Sequence, residues 1–126
     1  MLSASLALAA AVLEPQALPR LDKGACAVLV WSAAEPRGPL VVLSGSPPVA
    51  RIRRDGRLKL LPRAGEPTGE GRQVFRGLGL RLELDVKLGR GLIAAGEVTP
   101  EGVLSFREGD GASVLIPVRV APLCQD

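Results

Sequence analysis

The stretch Leu78-Gly79-Leu80-Arg81-Leu82-Glu83-Leu84-Asp85-Val86-Lys87-Leu88 carries an apolar residue at every second position. Successive side chains of a strand point to opposite faces, so a period of two sustained this long reads as one half-buried β-strand. Three glycine-marked breaks follow it, at Gly89-Arg90-Gly91, Pro100-Glu101-Gly102 and Gly109-Asp110-Gly111. A hairpin keeps its apolar residues on one face only in one register, which tests each break. Three-residue loops set Leu88 against Leu92, Val86 against Ala94 and Leu82 against Val98 at the first. They set Val98 against Leu104 and Gly96 against Phe106 at the second, and Phe106 against Val114 and Leu104 against Ile116 at the third. All of these residues then share one face with Val118 and Val120. The sequence therefore predicts a four-strand antiparallel meander, each loop ending on the glycine that a three-residue hairpin favours.

Upstream, Arg54-Asp55-Gly56 reads as another three-residue loop, with Ile52 opposite Leu58 and Ala50 opposite Leu60. Further strands are expected at Cys26–Trp31 and near Leu40–Ser44. The total is about eight short antiparallel strands, an all-β meander forming a small up-and-down barrel or a curled sandwich. Pro62–Arg72, with glycines at 65, 69 and 71, reads as the longest loop. Aromatic residues are only 2% of the chain, so Leu, Val, Ile and Ala must build the core. The chain has 47% hydrophobic and 23% charged residues, values of a globular rather than a disordered protein.

The run Leu2–Leu13 is apolar and small throughout, and polarity returns at Glu14. Its length suits the apolar segment of a signal peptide and is too short for a membrane anchor, although no Lys or Arg precedes it. Residues 1–17 are expected to be a signal peptide and 18–126 one β-domain. Cleavage could follow Ala11, after Ala9-Ala10-Ala11, or Ala17. Cys26 and Cys124 lie near the two ends of the mature domain, and no histidine exists to complete a zinc site with them. A disulfide closing almost the whole domain is expected, contributing roughly 4–5 kcal/mol on the chain-entropy argument. Both features place the protein in the periplasm or outside the cell.

Chemistry is sparse. Without histidine and tyrosine the commonest general base is missing, and no Ser-His-Asp or Cys-His arrangement can form within the chain. Glu83 and Asp85 share a strand face but alternate with Arg81 and Lys87, the pattern of a solvated, ion-paired surface. The segment Gly65–Gly71 lacks the lysine and hydroxyl of a phosphate-binding loop, and Asp110 alone is far short of a calcium ligand set. No catalytic residue, cofactor or metal is assigned, and the protein is expected not to be an enzyme.

One cluster stands out. Arg51, Arg53, Arg54, Arg57, Lys59 and Arg63 crowd the hairpin around Asp55-Gly56. In the three-residue register Arg51 opposes Lys59 and Arg53 opposes Arg57 on the outer face, where like charges repel. An anionic ligand or acidic protein partner would relieve them. Nucleic acid is disfavoured, because no aromatic side chains interleave the arginines to stack bases. The expected function is that of an exported binding module, or of a structural accessory in an envelope assembly.

The stretch Ala50-Arg51-Ile52-Arg53-Arg54-Asp55-Gly56-Arg57-Leu58-Lys59-Leu60-Leu61-Pro62-Arg63 resembles the C-type lysozyme inhibitor family, periplasmic or membrane-anchored β-barrels. The resemblance spans about residues 50–75 and implies an exported barrel whose inhibitory residues would sit in the loop from Ala64 to Phe75. The chain departs from the family there. It has no tyrosine, only Thr68 as a loop hydroxyl, and no tyrosine two residues before Cys124.

Overall fold

The computed structural model describes residues 13–34, 37–65, 71–87 and 101–125. They form eight antiparallel strands: β1 (Cys26–Ser32), β2 (Val41–Ser44), β3 (Val49–Arg54), β4 (Arg57–Pro62), β5 (Arg72–Gly77), β6 (Leu80–Lys87), β7 (Glu101–Glu108) and β8 (Val114–Cys124). One sheet runs in the order β4-β3-β2-β1-β8-β7-β6-β5. Its two edge strands approach each other at the bridge between Arg63 and Phe75, so the sheet curls into a nearly closed barrel. The all-β, eight-stranded fold expected from the sequence is the fold observed.

The barrel interior holds Val30, Leu43, Ile52, Leu61, Phe75, Leu82, Leu104, Phe106 and Val118, all buried. Leu80, Leu82 and Leu84 of the diagnostic strand point inward as the alternation requires. Their neighbours on the opposite face are ion-paired: Arg81 with Glu83, and Arg72 of β5 with Glu83 and Asp85. At the β7–β8 turn the register is the expected one, Phe106 against Val114 and Leu104 against Ile116. The glycine in the left-handed region there is the first of the loop, Gly109, at φ 55°.

Two expectations are corrected. The first is the meander after β6. Leu82 pairs with Phe75 on one side and Phe106 on the other, so both edges of β6 are taken by β5 and β7. The partners of Leu82 are thus Phe75 and Phe106. The loop at 89–91 and the strand expected at 92–98 lie outside the described residues. Glu101 and Gly102, read as a turn, belong to β7 beside Lys87 and Val86. Gly102 is the residue this pairing needs, because a Cβ there would sit 2.5 Å from the Asp85 carbonyl oxygen.

The second correction is β5. It begins where the loop expected at Pro62–Arg72 ends, in a segment to which no strand was assigned, and its Phe75 is fully buried. Leu78, which looked like the start of β6, sits with Gly79 in a two-residue turn at φ 55° and 75° and is 72% exposed. Paired left-handed residues make the turn that matches the twist of a hairpin, which shortens the strand by two positions.

Ahead of β1 the described chain lies against the sheet. Leu13 is 1% exposed and packs in the barrel core. From there residues 14–25 cross the outside of the sheet as a strap. Glu14 N–H donates to Arg53 O, and Gln16 N–H donates to Pro39 O. Gly38 permits this approach, since a Cβ on it would lie 2.8 Å from Gln16 O. Further along, Leu21, Trp31 and Leu123 cover a second, outer cluster of Ala27, Leu29 and Val42. The strap ends at Cys26, which pairs with Cys124 on β8 and is bonded to it. Residues 13–17 are thus part of the packed domain, because an apolar side chain at 13 and an amide at 16 find partners there.

Candidate functional site

The basic hairpin is β3 and β4, and its turn decides what the cluster can do. Asp55 and Gly56 have φ of 53° and 73°, the paired left-handed conformation for which Asp-Gly is suited. The loop is therefore two residues long and not three. Arg54 pairs with Arg57, Arg53 with Leu58, Ile52 with Lys59, Arg51 with Leu60 and Ala50 with Leu61. A one-residue slip exchanges the faces of β4. Leu61 enters the core, while Leu58 and Leu60 stand outside at 56% and 61% exposure. The like-charge pairs expected on the outer face, Arg51 with Lys59 and Arg53 with Arg57, do not exist. Each outer arginine faces a leucine instead.

The six basic residues then separate into two groups. Arg51 is held by the strap: its Nε donates to Gln16 Oε1 at 2.6 Å and its Nη2 to Ala17 O at 3.0 Å. Gln16 Nε2 in turn donates to Arg51 O and Leu40 O, so this buried amide is fully used. Arg53 pairs with Glu14, whose carboxylate also accepts from Gly56 N–H in the turn. Arg54 crosses the barrel end, pairing with Glu108 and lying 5.1 Å over the Phe106 ring. These three are structural. Arg57, Lys59 and Arg63 make no ion pair among the described residues.

Between the strap and the hairpin lies a groove of about 590 Å³, bordered by Leu18, Arg20, Arg51, Arg53, Gly56 and Leu58. Leu18 is itself 58% exposed, so the groove joins an apolar strip of Leu18, Leu58 and Leu60 to a basic margin. Sequence reading placed Leu58 and Leu60 in the core and missed the strip. The Leu60-Leu61 doublet is the signal that two strand phases compete, and the Asp-Gly pair is the signal for the shorter turn. A second depression of about 220 Å³ opens at the disulfide end, among Val28, Leu43, Pro48, Gln73 and Pro122. It offers no charged side chain.

Of the loop likened to the lysozyme inhibitors, residues 66–70 lie outside the described ones and Arg72–Phe75 belongs to β5. Among the described residues no three His, Cys, Asp or Glu side chains gather as a metal site, and no helix is long and apolar enough to cross a membrane. Comparison with protein-family models, curated proteins and solved structures finds no match to this chain.

Proposed function

We propose that this protein is an exported, non-enzymatic interaction module that engages an acidic protein partner through the β3–β4 hairpin. The observation that carries the reading is that β4 exposes Leu58 and Leu60 on its outer face and presents Arg57 and Lys59 at the alternate positions, with Arg63 past its end, cations with no ion pair among the described residues. Contiguous exposed apolar side chains mark a protein-interaction surface, and the unpaired cations favour an acidic partner. The carboxylates best placed for catalysis, Glu83 and Asp85, are instead neutralised by Arg72 and Arg81. The Cys26–Cys124 disulfide supports an oxidising compartment. Of the two cleavage sites, the one after Ala11 leaves Leu13, Glu14 and Gln16 in the mature chain, where the fold uses them.

A photo-cross-linking residue at Leu58 of the full chain, in the cells that make it, tests the reading. One discrete protein adduct outside the cytoplasm, lost in Arg57→Glu/Lys59→Glu, is expected. The same adduct from a probe at Leu115, on the distant β8, would contradict it, as would an adduct indifferent to charge reversal.

A further inference from the structure

Among the described residues the hairpin register leaves one edge of the sheet open. Arg54 and Arg57 close a two-residue turn and so exchange backbone hydrogen bonds. Bonding alternates along an antiparallel ladder, which turns the N–H and C=O groups of Leu58 and Leu60 away from β3. The same parity reaches Ala64, whose N–H donates outward to Val74 O on β5. From the Arg63 and Phe75 bridge β5 continues along β4 as far as Gly77, which packs against Leu61 and Pro62, before the chain turns back at Leu78-Gly79. Beyond it no described residue hydrogen-bonds the edge of β4 from Arg57 to Leu60, and an uncovered edge is a template for another strand.

We propose that an extended segment of a partner protein, alternating apolar and acidic residues, adds to this edge as a further strand. The inference rests on the interaction reading above and specifies its mode. Residues directly opposite one another in a ladder share a face. Positions facing Leu58 and Leu60 lie on the outer face beside exposed leucines, so apolar side chains match them. Positions facing Arg57 and Lys59 lie on the other face beside unpaired cations, so Asp or Glu matches them. Main-chain bonds supply affinity and the alternating side chains supply specificity in this recognition mode. A second copy of the chain fits poorly, because antiparallel β4 strands would bring Arg57 and Lys59 of one copy against those of the other. The arginines of β3 do not enter the match, being held by Gln16, Glu14 and Glu108.

The test uses the full chain and a fluorescent eight-residue peptide alternating valine and glutamate. Comparison probes are a peptide of equal composition with the valines and glutamates in separate blocks, and phosphatidylglycerol vesicles. The alternating peptide is expected to bind at least about tenfold tighter than the block peptide. Arg57→Glu/Lys59→Glu should remove that binding, and Leu60→Pro should weaken it by deleting an edge N–H while the thermal melt stays cooperative. Equal binding of the two peptides would overturn strand addition in favour of charge alone. Vesicle binding without peptide binding would overturn it in favour of a membrane surface, and a dimer abolished by the same charge reversal in favour of a second copy. If the alternating peptide fails while the Leu58 adduct persists, strand addition falls and the interaction reading stands. If both fail, both fall.

Discussion

The β7–β8 and β3–β4 hairpins are both announced by glycine-bearing turns, yet they obey different rules. In β7–β8, Leu104 and Phe106 alternate with Ser105 and Arg107, and only one register buries the apolar set. In β3–β4, Leu58, Leu60 and Leu61 offer two phases. Burial alone would favour the phase that hides two leucines, each worth about 1.5–3 kcal/mol when fully buried. The observed phase hides only Leu61 and leaves Leu58 and Leu60 in water. Two local forces oppose the burial count. Asp-Gly favours the paired left-handed turn, and the strap grips Arg51 and Arg53 on the outer face. A region where turn chemistry overrides hydrophobic burial is where a surface kept for binding is expected.

The comparison can be broken at several points. Phe106→Ala should be the costliest single change, about 3–5 kcal/mol in denaturant melts, since the ring is buried between Leu82 and Val114 and carries Arg54. A cost under 1 kcal/mol would remove β7 from the core. Next comes the strap. Beginning the chain after Ala17 should lower stability by about 2–5 kcal/mol through loss of Leu13 from the core, whereas beginning it after Ala11 should keep full stability. Equal melting of the two forms would show that the strap is not part of the fold.

Within the hairpin, Leu61→Ala should cost about 2–5 kcal/mol and Leu60→Ala no more than about 0.5 kcal/mol. The reverse order would restore the three-residue register. The smallest contrast sets Arg54→Ala, about 1–2 kcal/mol from the lost ring contact and ion pair, against Arg57→Ala at about 0.5 kcal/mol or less. Equal effects would erase the division between structural and available cations.

Most of the fold was legible where one physical signal acted alone. Leu80 to Val86 announced β6, and Cys26 and Cys124 announced their bond, because each had one solution. β5 was hidden because Arg72–Gly77 is short, begins and ends beside glycines and has only Val74 and Phe75 to mark it. Register arithmetic applied to consecutive segments gave β6 the next segment as its partner, and it cannot see that β7 reaches back to β6. The strap was hidden because an apolar run beside a small-residue cleavage pattern reads as a signal peptide, and nothing in Leu13 itself says where that run ends. Of the candidate site, the basic residues were legible and their division was not. Which arginine is spent on Gln16, Glu14 or Glu108 depends on contacts 35 to 54 residues apart in sequence.

The register of β3 against β4 underlies the exposed leucines, the available cations and the open edge together. Proximity of backbone Hα protons in solution, read by nuclear Overhauser effects, measures it directly, because the non-hydrogen-bonded pairs of an antiparallel ladder approach most closely. Cross-peaks between the Hα atoms of Arg53 and Leu58 and of Arg51 and Leu60 are the result this account predicts. Cross-peaks joining Arg53 to Arg57 and Arg51 to Lys59 would contradict it.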